Sequence, residues 1–238
     1  LVYYTDIAIF TADQQTLVDD ERFNYVEGQA VPNGTGGWMF MLEVAAFYSA
    51  PTTPDNAALL AGLSYNPGSE QISDSSYFDF VNRLAPTIAF LKAIGIWGFP
   101  HPWSDIFIPD HSVNSYVSSV LANLTLADTG QGPVLLYAFK TANMQRPLFR
   151  LPDTEHAFLF SILRTAPPIQ AVVDAMVASN RALYEQNRDL GGTRYAIGAI
   201  PFSQADWEFH FGPVWKEFKK AKRAYDPDNI LTPGQGIF

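Results

Sequence analysis

The feature that most constrains the fold is a pair of apolar runs separated only by the turn tract PNGTGG at residues 32–37. The runs cover residues 23–31 and 38–48, and each predicts a β-strand. So short a connection suits antiparallel neighbours, because parallel strands need a much longer crossover. The second run, WMFMLEVAAFY, is nearly all apolar, which favours a strand covered on both faces.

The same patterns continue along the whole chain. Thr11 is positioned to cap a helix that runs to Val18, and Pro86 should kink or split the helix that contains it. The order of predicted strands and helices repeats in two similar halves. This repeat predicts one α+β domain with ferredoxin-like halves, in which helices pack on one face of a mainly antiparallel sheet. The other predicted strands are 1–9, 101–110, 134–140, 157–164 and 195–200, and the other predicted helices are 55–63, 77–94, 113–124, 167–187 and 203–224.

Composition excludes several classes of function. The chain has no cysteine, so thiolate metal sites, iron–sulfur clusters and cysteine nucleophiles are excluded. The net charge of −9 argues against a nucleic-acid partner, and no apolar run reaches the roughly 20 residues that span a bilayer. The four histidines are scattered, so we expect no metal site. The start, LVYYTDIAIF, lacks the basic region of a signal peptide and predicts a strand, as if cut from a longer chain. The compartment stays open.

The common catalytic motifs are absent from the sequence. We find no GxGxxG after a strand, no P-loop, no GxSxG elbow and no HExxH. Aromatic residues make up 14% of the chain, enough for a filled core and a flat aromatic-lined pocket. Residue chemistry alone therefore predicts an acidic, aromatic-rich α+β domain with a possible pocket.

Several segments, in order along nearly the whole chain, resemble one family. Together they resemble the cytokinin oxidase/dehydrogenases, flavoenzymes of the vanillyl-alcohol-oxidase superfamily. The segments are YTDIAIFTADQ at 4–14, FNYVEG at 23–28, YFDFVNR at 77–83, IGIW at 94–97, PHPW at 100–103, WEFHFG at 207–212 and the closing run at 225–238. Residues 45–75 and 125–155 match the family weakly.

The resemblance implies a role for the chain as a whole. Residues 1–238 would form the C-terminal cytokinin-binding domain, with 225–238 as a tail that approaches the flavin of FAD. The partner would be the FAD-binding domain of the same polypeptide, which carries the glycine-rich loops, the FAD-attachment histidine and the catalytic aspartate, and is absent from these residues. The family transfers hydride from the carbon beside N6 of isopentenyladenine-type cytokinins to flavin, and the imine hydrolyses to adenine and an aldehyde. With no catalytic residue in this chain, the isolated piece should be inactive.

The resemblance also assigns substrate contacts. Glu27 would accept a hydrogen bond from a purine N–H, and the alternative is an exposed glutamate at a strand end. Trp103 would stack on substrate or flavin, and the alternative is an ordinary core aromatic. Asp105 stands where the family usually has Asn, and an ionised Asp only accepts hydrogen bonds, so substrate preference should differ if Asp105 lines the pocket. The alternative is that Asp105 points to solvent.

Four further positions follow from the same resemblance. Leu84 and Thr87 correspond to helix positions that tune side-chain specificity, and the alternative for both is plain helix packing. Tyr195 and Gln235 are candidate flavin contacts, although Tyr195 is spaced more loosely from Trp207 than the family pattern. For Gln235, the alternative is a simple packed terminus.

Two other functions stay open at this point. Asp105 and Thr87 motivate a related FAD-linked oxidase that acts on another amine or alcohol. The missing flavin half motivates a non-catalytic module that binds a purine-type ligand.

Overall fold

The strands form a single antiparallel sheet. The computed structural model describes residues 1–231 and 233–238. Within them, the sheet has the order β1-β3-β2-β5-β6-β4-β7, with every neighbouring pair antiparallel. This confirms the predicted α+β class with a mainly antiparallel sheet. The strands are β1 (Val2–Tyr4), β2 (Tyr25–Pro32), β3 (Trp38–Ala45), β4 (Ser104–Pro109), β5 (Val134–Lys140), β6 (His156–Ile162) and β7 (Thr193–Arg194).

Helices occupy most of the connections between strands. They are α1 (Ile7–Asp20), α2 (Asn56–Leu60), α3 (Tyr77–Val81), α4 (Ala85–Ala93), α5 (Val113–Leu121), α6 (Leu126–Thr129), α7 (Gln170–Asp189), α8 (Gln204–Phe211) and α9 (Trp215–Tyr225). In the described part of the chain, no helix combines the length and the hydropathy that crossing a bilayer requires.

Two halves of the sheet share one arrangement. The first half runs β1-α1-β2-β3 and the second runs β4-α5-β5-β6, and in each half the third strand lies between the other two. The halves join where β2 pairs with β5, at Gln29 opposite Leu135. The repeat predicted from the element order is therefore present in the sheet topology.

One face of the sheet carries the main core. Along β2, β3 and β5, fully buried and half-buried residues alternate, because successive side chains of a strand point to opposite faces. Helix α1 packs closely on the buried face, where Gln14 donates to the carbonyl oxygen of Leu136 and accepts from the amide of Ala138. Gly28 permits this approach, since a β-carbon there would lie 2.2 Å from the Leu136 oxygen and 2.6 Å from the Phe10 ring.

A second apolar cluster holds the end of the chain. Trp207, Phe211 and Trp215 are buried together, and Ile237 and Phe238 pack against them. The rings of Trp215 and Phe238 stack with centroids 5.2 Å apart and an interplanar angle of 5°. The WEFHFG segment and the closing residues, distant in sequence, therefore form one packed unit.

Local predictions were wrong in four places. The strand predicted at 1–9 ends at Tyr4, and the helix already begins at Ile7. Helix α1 is capped by Asp6, whose carboxylate accepts from the amides of Ala8 and Ile9, while Thr11 lies inside the helix. The strand predicted at 195–200 is absent, because pairing with β4 ends at Arg194.

The helix predicted at 203–224 is two helices separated by a 3-10 turn at 212–214. Gly212 has a φ of 50°, outside the helical range, and Pro213 lacks an amide donor. The split expected at Pro86 does occur, because α3 ends at Val81 and α4 begins at Ala85.

Candidate functional site

The face of the sheet opposite the main core is only partly covered. Its half-buried residues, which we call the open face, are Tyr25, Glu27 and Gln29 of β2, Met41 and Glu43 of β3, and Leu135 and Tyr137 of β5. The same face continues onto β6 and β4, where Ser161 and Asp105 pair across the strands. The open face combines carboxylates, an amide and aromatic rings, which suits a flat polar ligand.

Glu27 lies inside β2 and is held by its neighbours on the same face. The Tyr25 hydroxyl donates to Glu27 Oε2 at 2.7 Å, and Gln29 Nε2 donates to Oε1 at 3.0 Å. The residue directly opposite on β3 is Glu43. Glu27 is therefore a half-buried, oriented carboxylate rather than an exposed one at a strand end.

Tyr137 lies between the predicted site residues, although sequence analysis did not select it. Burial, followed by the nearby Glu27, Tyr195 and Asp105, raises the pKa of Tyr137 to about 12. These effects place the tyrosine within electrostatic range of three predicted residues. Tyr137 lies in residues 125–155, which match the family weakly, so the resemblance did not indicate a role for it. The sequence VLLYAFK indicated only which face of the strand its side chain shares.

Asp105 is buried, with 2% of its surface exposed, so it does not point to solvent. Ser161 Oγ donates to Oδ1 at 2.7 Å, and Oδ2 is buried with no hydrogen-bond partner in the described residues. Burial raises the pKa of the Asp105 carboxyl, while the Ser161 hydrogen bond and the charge of Arg194 oppose the rise. Gly198 lies close by, since a β-carbon there would be 2.7 Å from Oδ2. The Oδ2 atom of Asp105 can therefore accept a hydrogen bond or carry a proton itself.

Trp103 is not an ordinary core aromatic. It is 36% exposed and lies immediately before β4, two residues ahead of Asp105. Its carbonyl oxygen accepts from the amide of Ala199 at 2.7 Å and from Asn180 Nδ2 at 3.2 Å. The backbone is thus fixed while much of the indole stays accessible, as a stacking surface requires.

Tyr195 packs against the side chains of the open face. Its ring lies 5.2 Å from that of Phe107 and 5.6 Å from that of Phe149. Its amide donates to the carbonyl of Asp105 at 3.0 Å. Tyr195 lies in an irregular segment that follows β7, rather than in a strand.

Gln235 lies beside β7 rather than over the centre of the sheet. Its Oε1 accepts from Arg194 Nη2 at 2.9 Å. The turn that precedes it is ordered by Asp226, whose carboxylate accepts from the amides of Ile230 and Leu231. The described contacts therefore tie Gln235 to the sheet only through Arg194.

Leu84 and Thr87 are exposed at the start of α4, and Leu84 is 60% exposed. Helix α4 has no buried residue, so plain packing within this chain does not account for either side chain. Large apolar side chains are exposed around them, at Tyr77, Phe78, Val81, Phe90, Ile94 and Trp97. This apolar surface on and around α3 and α4 is separate from the main core.

A cleft of about 720 Å³ lies beside β3, lined in part by Glu43, Phe47, Tyr77 and Phe80. None of the seven predicted site residues lines it. The structure instead groups Glu27, Asp105 and Tyr195 around Tyr137, with Trp103 at the near end of β4. It places Gln235 at the β7 edge, and Leu84 and Thr87 on α4.

The fold is found in an oxidase. A crystal structure of 6-hydroxy-D-nicotine oxidase from Arthrobacter nicotinovorans superposes with a TM-score of 0.51 over 96% of this chain and 51% of that one, at 16% identity. At that identity the likeness shows the fold alone. The class defined here is thus an α+β domain of the architecture present in that oxidase.

Sequence comparison gives the family. Residues 30–238 match the family model described as cytokinin dehydrogenase 1, FAD and cytokinin binding. The chain belongs to this family of cytokinin- and FAD-binding domains from FAD-linked oxidoreductases, and the cofactor of the family is FAD.

Curated relatives agree with this assignment. An uncharacterized oxidoreductase, ORF5 of the fasciation locus of Rhodococcoides fascians, is 36% identical over 97% of this chain and 52% of its own length. Cytokinin dehydrogenase 9 of Oryza sativa subsp. japonica is 29% identical over 100% of this chain and 51% of its own length. The chain spans about half the length of the curated relatives it matches.

Proposed function

We propose that this chain is the substrate-binding domain of an FAD-dependent cytokinin dehydrogenase. The reaction would oxidise the N6 side-chain amine of isopentenyladenine-type cytokinins to an imine, which water converts to adenine and an aldehyde. The observation that carries the proposal is the family match over 30–238, together with an oriented carboxylate, Glu27, on a half-buried open face.

The open face suits an adenine ring. Purines present N–H donors along one edge and two flat π-faces, so they need acceptors at the edge and an aromatic surface on one side. Glu27 would be the acceptor on the open face, and Trp103 would be the exposed aromatic surface, with Asp105 buried beneath the face two residues beyond Trp103. Leu84 and Thr87 would contact the N6 side chain from α4.

The chain would also contact the ring end of FAD. Tyr195 and Gln235 would hold the ring system, with residues 225–238 as the tail beside it, and bound FAD supplies the two-electron acceptor. The sequence has no glycine-rich loop of the kind that cradles a pyrophosphate at a helix N-terminus. We therefore propose that residues 1–238 act with an FAD-binding domain of the same polypeptide, seated against the exposed apolar surface of α3 and α4.

The test uses the full-length polypeptide purified from its own gene. The visible spectrum should show a bound flavin, and isopentenyladenine with an electron acceptor should yield adenine. A polypeptide without flavin absorption would overturn the proposal and favour a non-catalytic purine-binding module. Flavin absorption with turnover only of another amine or alcohol would identify a related oxidase. Residues 1–238 alone should reduce no acceptor.

A further inference from the structure

We propose that Arg83 is a positioning residue that orients Glu27 through Tyr25 and fixes α4 to the open face. The proposal rests on the proposed function, because it concerns how the acceptor carboxylate and the specificity helix are held. Arg83 lies in the three-residue joint between α3 and α4, far along the chain from both strands that it contacts.

A continuous set of hydrogen bonds runs from β3 to β2 through this arginine. Arg83 Nε donates to Glu43 Oε1 at 3.1 Å, and Nη2 donates to Glu43 Oε2 at 3.3 Å. The same Nη2 donates to the Tyr25 hydroxyl oxygen at 2.7 Å, and that hydroxyl donates to Glu27 Oε2 at 2.7 Å. Glu43 and Glu27 are opposite each other in the register of β2 and β3.

The direction of these bonds fixes the role of each group. A tyrosine hydroxyl has one proton to donate. Because Arg83 can only donate, it occupies an acceptor position on the Tyr25 oxygen and leaves that proton for Glu27. The guanidinium also places one positive charge between two carboxylates that would otherwise repel each other across adjacent strands. Arg83 thus allows Glu27 and Glu43 to lie side by side with Glu27 aimed by Tyr25.

The same guanidinium attaches the helical segment to the sheet. Its central carbon lies 5.0 Å from the Tyr25 ring centroid and 4.5 Å from that of Phe80 in α3. Helix α4 has no fully buried residue of its own, so the joint that precedes it should contribute to its position. Leu84 directly follows Arg83, and Thr87 lies one helical turn beyond.

Two parts of the proposed site therefore share one anchor. Glu27 would bind the purine edge, whereas Leu84 and Thr87 would contact the N6 side chain. Arg83 sets the position of both, so its loss should weaken substrate binding more than it slows the chemical step. Lysine cannot replace it fully, because an ammonium does not offer the fork that reaches Glu43 and Tyr25 together.

The experiment uses the full-length, FAD-loaded polypeptide with Arg83→Met, Arg83→Lys and Tyr25→Phe. The matched control is Arg188→Met, which removes a half-buried arginine paired with the exposed Asp189. We expect KM for isopentenyladenine to rise on the order of tenfold in Arg83→Met, and less in Arg83→Lys and Tyr25→Phe, with kcat within about twofold of wild type. Hydrogen exchange at residues 85–93 should increase in Arg83→Met but not in Tyr25→Phe.

The two readouts separate the possible outcomes. If KM in Arg83→Met equals that of the control, or if kcat falls while KM is unchanged, Arg83 does not position Glu27. Unchanged exchange at 85–93 overturns the anchoring of α4. A wild-type protein that yields no adenine overturns the proposed function instead, and the exchange measurement still decides the role of Arg83. Should Arg83→Met fail to fold, Tyr25→Phe tests the link to Glu27 on its own.

Discussion

Arg194 and Gln235 meet through a hydrogen bond of 2.9 Å from Nη2 to Oε1. Arg194 is buried, its guanidinium lies 4.5 Å from the Phe202 ring and 4.6 Å from the Trp207 ring, and Nη2 also donates to the Gly198 carbonyl. Burial lowers the pKa of Arg194 to about 10. Because the arginine occupies the amide oxygen of Gln235, the amide nitrogen is the group left to donate to a ligand.

Loss of this arginine should destabilise the fold and loosen the closing segment. We expect Arg194→Met to lower the free energy of unfolding by about 1–3 kcal/mol, since one buried and one half-buried acceptor lose a charged donor. Gln235→Ala should cost less, about 0.5–1.5 kcal/mol. Urea titration of both variants measures the effect, with the exposed Arg146→Met as the control. Equal midpoints for Arg194→Met and the control would show that the contact contributes nothing.

Asp105 gives a prediction about pH. Burial raises the pKa of this carboxyl in the folded state, so over the pH range above its ordinary value the folded protein binds more protons than the unfolded one. Stability from this group is therefore present at low pH and is lost as pH rises. Asp105→Asn does not titrate, so the stability of the variant relative to wild type should increase from pH 4 to pH 7.

Unfolding midpoints at several pH values measure this difference. Asp228→Asn, which removes a carboxyl at an exposed position, is the control. If the stability difference between Asp105→Asn and wild type does not change with pH, ionisation of the buried Asp105 carboxyl does not destabilise the fold.

The fold could be predicted where the sequence pattern of a segment agreed with the way that segment pairs or packs in the folded chain. The short tract at 32–37 required β2 and β3 to be antiparallel, and they pair along their whole length. Pro86 required a break, and the helix divides before it. The strand predicted at 195–200 failed because its apolar residues do not share one ladder: Ala196 packs on the Trp207 cluster, Ile200 is buried in the main core and Ile197 is exposed. The sequence of this short segment alone does not distinguish residues that pair in a strand from residues that pack into separate clusters.

The candidate site was less predictable than the fold. Glu27 and Tyr25 came from a short recognisable segment, but their connection to Arg83 depends on how the α3–α4 joint meets the sheet. Tyr137 was missed because its role comes only from its neighbours on β2 and β4. The sequence around a residue gives little indication of the contacts that the residue makes across strands.

Gly28 should tolerate no side chain. A β-carbon there would come within 2.2 Å of the Leu136 carbonyl oxygen, which belongs to the backbone of a central strand and cannot move cheaply. We expect Gly28→Ala to lower the free energy of unfolding by about 1–3 kcal/mol through overpacking. Gly98→Ala is the control, because a β-carbon at that position meets no atom within 4 Å. If thermal unfolding shows equal loss in the two variants, the close approach of Leu136 and of α1 to Gly28 is not what requires glycine.

Glu27→Gln tests the acceptor of the proposed site in the full-length, FAD-loaded polypeptide. Glutamine keeps the shape, and its single amide oxygen can accept from Tyr25 or from Gln29, but the charge and the second acceptor oxygen are lost. Hydrogen bonds to charged groups contribute about 1.5–3 kcal/mol, so KM for isopentenyladenine should rise by about 10- to 100-fold. The control is Glu208→Gln, an exposed carboxylate on α8. Steady-state kinetics with both variants decides the matter, because an unchanged KM in Glu27→Gln would remove this carboxylate from substrate recognition while the fold assignment stands.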